Sequence, residues 1–130
     1  LKKKKKNTDE IFVRGNCPSS KNSQRWTGRY LIKSITTQRY IKDWGWQYKK
    51  LAPLFKQLSE NKEYPLHVEF KFIRDSLRRF DYINVAQIVC DLMVKNHWIP
   101  DDSYRYIIPY FNPKVEVSKE MCGVIIKIIK

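Results

Sequence analysis

The sequence predicts an α+β fold, a single domain with a mixed β-sheet and two main helices packed on one face, and three observations lead there. The chain has 130 residues and 42% hydrophobic content, enough for one core and too little for two. Apolar residues recur at every second position over 65–74 and at steps of three and four over 40–58 and 84–96, the periods of a strand and of two helices. Strand-like and helix-like segments then follow in the order β-β-α-β-α-β-β, which fits one sheet with helices on one side.

Taken in order, residues 1–9 form a basic tail, disordered or extended, and residues 10–130 the domain. The run Lys2–Lys6 is expected to be a solvated tail that adds non-specific attraction. "EIFVRG" (Glu10–Gly15) predicts a short strand closed by glycine, and "NCPSSKNSQRWTG" a long polar loop. "RYLIKS" (Arg29–Ser34) returns as a second strand, completing a hairpin with a wide tip. From Thr36 the pattern Tyr40, Ile41, Trp44, Tyr48, Leu51, Phe55 and Leu58 is that of an amphipathic helix capped by Thr36 or Thr37, which Pro53 should kink or split near Ala52.

"PLHVEFKFIR" (Pro65–Arg74) alternates as a half-buried strand does and is expected to pair with the first hairpin. A second helix spans about Asn84 to Asn96, with Val85, Ile88, Val89, Leu92 and Met93 as its core stripe and Asp81 or Asn84 as its cap. "YRYIIPYF" (Tyr104–Phe111) and "CGVIIKIIK" (Cys122–Lys130) supply the last two strands.

Charge narrows the function. There are 26 Lys and Arg against 13 Asp and Glu, a net +13. Residues 1–42 carry twelve of the basic and two of the acidic residues, and no acid stands between Ile11 and Lys42. Arg14, Lys21, Arg25, Arg29 and Lys33 are interleaved there with Trp26 and Tyr30, a combination suited to following phosphates and stacking on bases. With Arg74, Arg78 and Arg79 they form the expected DNA-binding set, and Trp26 is the ring placed to stack on an unpaired base or wedge a junction open. Cys17, Cys90 and Cys122 are odd in number and form no C-x-x-C pair, so they are expected to be free thiols in a reducing cytoplasm. No apolar run approaches the roughly 20 residues of a membrane span, and no small-molecule cofactor motif is present. His67 and His97 belong to different elements and give no histidine-based site.

The remaining acids gather around the second helix. Asp81, Asn84, Gln87 and Asp91 are three, three and four residues apart and share one helical face, while Asp101 and Asp102 follow the helix in "HWIPDD". Carboxylate and amide oxygens converging on one point are what a hard divalent ion needs. The plainer reading is that Asp81 caps the helix, Asp91 lies on its solvated face, and Asp101 and Asp102 fill a turn.

The stretch "RRFDYINVAQIVCDLMVKNHWIPDD" (78–102) resembles the signature of RusA-type Holliday junction resolvases, the small crossover-junction endodeoxyribonucleases of phages and prophages. Their pattern is roughly D-x-D-N-x-x-K, a helical Asp, and a W-x-x-D-D turn. Asp81, Asn84, Asp91 and Trp98 to Asp102 keep its spacing; "CPSSKNS" (Cys17–Ser23) is similar to the family's loop after strand one, and "GVIIKI" to its closing strand. The resemblance implies a structure-selective endodeoxyribonuclease that resolves branched DNA by Mg²⁺- or Mn²⁺-dependent hydrolysis. Asp81 and Asp102 would be catalytic metal ligands, with Asn84, Asp91 or Asp101 able to complete the set. It also implies a homodimer, and the cytoplasm of the host if the chain is phage-encoded.

Two positions depart from the pattern. Its second carboxylate falls on Ile83 and its lysine on Gln87. The alternative is therefore a catalytically inactive RusA-like protein that binds DNA or serves as a phage accessory or virion-associated component. A basic module for an acidic protein partner is the third reading.

Overall fold

A nine-residue strand, β4 (Leu66–Arg74), runs through the middle of the sheet with Leu66, Val68, Phe70 and Phe72 on one side, each at most 1% exposed. In this computed structural model, which describes residues 9–19, 24–26 and 31–129, β4 is bonded on one edge to β7 (Gly123–Ile128), antiparallel. Its other edge is shared in succession by β5 (Ile107–Phe111) and the two-residue β6 (Glu116–Val117), both parallel to it. The outer strand β1 (Glu10–Arg14) pairs antiparallel with β7.

The register stacks apolar residues across three strands. Ile11 lies opposite Ile126, which lies opposite Phe70; Val13 lies opposite Val124, which lies opposite Phe72. All six are buried. Burial of side chains of this size contributes about 1.5–3 kcal/mol each, so alternation fixes which face of the sheet is the core face.

The helices contribute the other half of that core. α1 (Ile35–Trp44) and α2 (Trp46–Ser59) bury Tyr40, Tyr48 and Phe55, and α3 (Tyr82–Lys95) buries Val85, Ile88, Val89, Leu92 and Met93. The mixed sheet and α+β class expected from the sequence are present, with three helices where two main ones were expected. Among the described residues no helix is long and apolar enough to cross a membrane.

Several local expectations are corrected. The first strand does not form a hairpin with the second: β1 lies on β7, and β3 (Leu31–Lys33) pairs with β2 (Gln24–Trp26), a strand inside the expected loop. The β7 segment offers β1 a buried apolar partner at every second residue, whereas β2 and β3 are neighbours in sequence and close at small entropic cost. For the same reason β4 pairs with β7, β5 and β6 rather than with that hairpin.

The long helix breaks at Gly45, whose N–H bonds to Ile41 O at 3.0 Å and where a Cβ would lie 2.5 Å from that oxygen. Pro53 stays inside α2 on an exposed face, where the carbonyl that its missing N–H leaves unbonded faces water. The cap of α1 is Ser34, whose Oγ accepts from the Thr37 N–H at 3.2 Å and donates to Thr37 Oγ1 at 2.9 Å. β6 had no periodic signal because it has only two residues.

The expected tail and the Lys2–Lys6 run lie outside the described residues, apart from Asp9, as do Lys21 and Arg29. Arg25, Trp26 and Lys33 are placed by their backbone in β2 and β3, and their side chains lie outside the description.

Candidate functional site

β4, α3 and β5 form a parallel crossover, so α3 returns the chain to the start of β5 beside β4. The turn that does this is built in detail. Asn96 closes α3, its backbone N–H and its side-chain Nδ2 both donating to Leu92 O at 3.0 and 2.9 Å. His97 takes a positive φ of 64°, reversing the chain. Trp98 and Ile99 then enter the core: the Trp98 indole N–H donates to Tyr48 O at 2.6 Å and its ring stacks on Phe55 at 4.9 Å. With those two residues pinned, Asp101 and Asp102 are delivered outward at a fixed place, and both are exposed.

Asp102 meets α3 in a cavity of about 210 Å³. Ile83, Gln87 and Cys90 line it from the helix, and Ile107, Pro109 and Phe111 from β5. The sequence motif is thereby brought together in part: the positions of the pattern's second carboxylate (Ile83), its lysine (Gln87) and its final aspartate (Asp102) share one cavity. Its walls are mainly apolar, and Ile83 is 76% exposed. Burial first, then the Asp102 and Asp91 charges, push the Cys90 thiol up to about 12. At that value the thiol is protonated at neutral pH, which disfavours it as a nucleophile.

The other candidate ligands stand apart from that cavity or are engaged nearby. Asp81 occupies the cap position of α3, exposed, with no capping bond from its side chain; its Oδ2 accepts from Asn84 Nδ2 at 3.4 Å. Gln87 lies six residues further on, roughly 9 Å along the helix axis. Asp91 accepts from Gln87 Nε2 at 2.9 Å. Asp101 accepts from the Ser103 N–H at 2.7 Å, and bonds from Ser103 hold its carboxyl below the usual carboxylate range. Among the described residues no three His, Cys, Asp or Glu side chains gather closely enough to hold a metal ion. Among the described residues a divalent ion held by three carboxylates therefore does not fit, and Ile83, which stands where the resembled pattern has its second carboxylate, carries no donor atom.

The described members of the expected basic set divide into engaged and exposed ones. Arg14 donates through Nε and Nη2 to Glu120 O at 3.2 and 2.8 Å and lies over the Trp44 ring at 5.8 Å. Gly15, with φ of 115°, makes room for that ring, since a Cβ there would be 2.4 Å from Trp44 Cγ. Arg74 is corrected from surface contact to interior residue: it is 6% exposed, donates to Cys17 O, and lies 4.7 Å over the Phe80 ring. Arg78 and Arg79 are exposed. Ser19, Thr36 and Lys119, none of them in the expected DNA-binding set, stand with Arg78 around a second cavity. Their sequence neighbourhoods carry no mark of it, because the sheet alone brings them together. Compared with known protein families and with curated proteins, the chain matches none.

Proposed function

We propose that this chain acts on branched DNA as a RusA-like, resolvase-type protein. The observation that supports it best is that Asp102, fifteen residues beyond Gln87, meets Ile83 and Gln87, neighbours on one face of α3, in one cavity; the three positions correspond to the resolvase pattern's last aspartate, second carboxylate and lysine. The net charge of +13 supplies the attraction to phosphates. The role it supports is recognition of the junction, with the cavity walls of Ile83 and Pro109 facing the DNA where a metal-binding member of the family would present a second carboxylate.

A second reading, a structure-selective endodeoxyribonuclease that cuts the junction with Mg²⁺ or Mn²⁺, is favoured by the state of two aspartates. Asp81 has no capping bond and Asp102 no hydrogen bond to a described residue, so neither carboxylate has a strong structural role. Two copies across a two-fold axis would bring two such sites to the two strands of a junction, in the host cytoplasm if the chain is phage-encoded.

One experiment separates the readings. The protein is incubated with a synthetic four-way junction and with linear duplex of the same sequence, with Mg²⁺ or Mn²⁺ and without. Tight junction binding with no cleavage is expected of the unmodified protein, and cleavage gained on Ile83→Asp would locate the missing donor. Cleavage by the unmodified protein that is lost in Asp81→Asn and Asp102→Asn would establish the nuclease instead. No preference for the junction over linear duplex would sink both.

A further inference from the structure

β1 and β4 run in the same direction on either side of β7, so their C-terminal ends emerge together beside Gly123. The segments leaving those ends, the chain entering β7 and the first turn of α1 enclose a cavity of about 440 Å³, within the roughly 300–1,000 Å³ of small-ligand pockets. Ser19, Thr36, Arg74, Asp75, Arg78 and Lys119 are among its lining residues. Three cations, Arg74 and Arg78 from the end of β4 and the segment leaving it and Lys119 from the chain entering β7, face a single volume against one carboxylate, Asp75.

The three cations differ in how they are held. Arg74 is fixed in the floor by Cys17 O and the Phe80 ring, and its planar fork has further N–H donors beyond the one that bond uses. Arg78 and Lys119 are exposed, and among the described residues neither is in an ion pair. Thr36 is the second residue of the ten-residue α1, so the positive end of that helix adds to the same field. The Cys17 thiol in the wall is pushed up to about 12, by burial above all, and contributes no charge. A fixed guanidinium, two adjustable cations and hydroxyl-bearing side chains around an open volume match the several oxygens of a phosphate better than a lone carboxylate.

We propose that this cavity holds one backbone phosphate of a nucleic-acid strand, gripped jointly by Arg78 and Lys119 over Arg74. The inference rests on the nucleic-acid part of the reading above and is independent of junction selectivity and of cleavage. It is distinct from the cavity that Asp102 lines between α3 and β5.

The test uses the full chain in EDTA with linear DNA, so that neither cutting nor branch recognition enters. Inorganic phosphate, titrated at constant ionic strength against chloride, should shift the amide resonances of Ser19, Thr36 and Ser76 saturably, and DNA should abolish that response. Arg78→Gln with Lys119→Gln should weaken DNA binding roughly tenfold and lower the slope of log K against log salt by about one, the value for a single phosphate. Asp75→Asn should act in the opposite direction, tightening binding by roughly threefold as the opposing charge is removed. A slope change of about two would mean that each cation holds its own phosphate, and would overturn the proposal. So would the absence of a saturable phosphate response, or a response to inorganic phosphate with DNA affinity unchanged in the double variant, which would make free phosphate the ligand.

Discussion

The mainly apolar cavity beside α3, whose one acidic group is Asp102, and the basic cavity at the ends of β1 and β4 are built on opposite plans. In the first, the backbone is pinned by buried aromatic residues, while Asp102, the one carboxylate that lines it, has no hydrogen bond to a described residue. In the second, Arg74 is itself part of the interior, while Arg78 and Lys119 are exposed and in no ion pair among the described residues. Charge in the sequence therefore has two fates, and the hydrogen-bond partners decide which. Arg14 and Arg74 have backbone carbonyls to serve, at Glu120 and Cys17; Arg78 and Lys119 have none among the described residues.

The pinned side should be the more sensitive to truncation of an uncharged residue. Trp98→Ala removes the stack on Phe55 and leaves Tyr48 O without its indole donor, and loss of a buried aromatic of this size costs about 3–5 kcal/mol. Urea unfolding should show that shift in midpoint. A loss under about 1 kcal/mol would mean that the "HWIPDD" turn holds its shape without Trp98, and the contrast between the two cavities would collapse.

Within the basic region, Arg74→Met should destabilise by about 1–3 kcal/mol because the buried Cys17 carbonyl loses its donor. Arg78→Gln, on an exposed residue, should stay within about 0.5 kcal/mol. Measured side by side, the pair distinguishes structural from available charge; equal effects would remove the distinction.

Ile83→Asp sharpens the α3 side. Ile83 is 76% exposed, so the substitution should change stability by no more than about 0.5 kcal/mol. It adds a carboxylate to the cavity that Asp102 lines, and Mn²⁺ binding followed by electron paramagnetic resonance should tighten at least tenfold, or about 1.4 kcal/mol. Unchanged affinity would show that Asp102 and position 83 do not converge on one ion.

How far these plans could be seen in the sequence follows from the range of the interactions. β4 and α3 were legible because their periods are local and long, and the Asp81 cap position because helix starts carry a short-range signal. The split at Gly45 was hidden by an amphipathic stripe that continues from Trp44 to Tyr48 across it. The partnership of β1 with β7 spans more than a hundred residues and leaves no periodic trace. The same holds for the sites: the resemblance, not spacing, singled out Asp81 and Asp102; Arg74 continues the inward register of β4 after Phe70 and Phe72, a local sign of burial that its charge masks, whereas nothing local marks Lys119. Only the sheet places Lys119 across a cavity from Thr36.

The smallest expected effect concerns Asp101, which sits next to Asp102, the carboxylate that lines the cavity beside α3. Ser103 bonds lower its pKa in the folded chain below the usual 3.8, so the unfolded chain takes up this proton first as the medium is acidified. The stabilisation from Asp101 is therefore complete above the unfolded value of about 3.9 and is lost as pH falls through the lower folded value. Thermal midpoints measured at pH 6 and again at pH 3 should differ less in Asp101→Asn than in the unmodified protein, since the amide has no proton to gain. Because the group is fully exposed, salt should narrow the difference further. An identical acid response in the variant would show that the Ser103 turn holds Asp101 without favouring its charge, and that Asp102 gets its position from the Trp98 and Ile99 side of the turn alone.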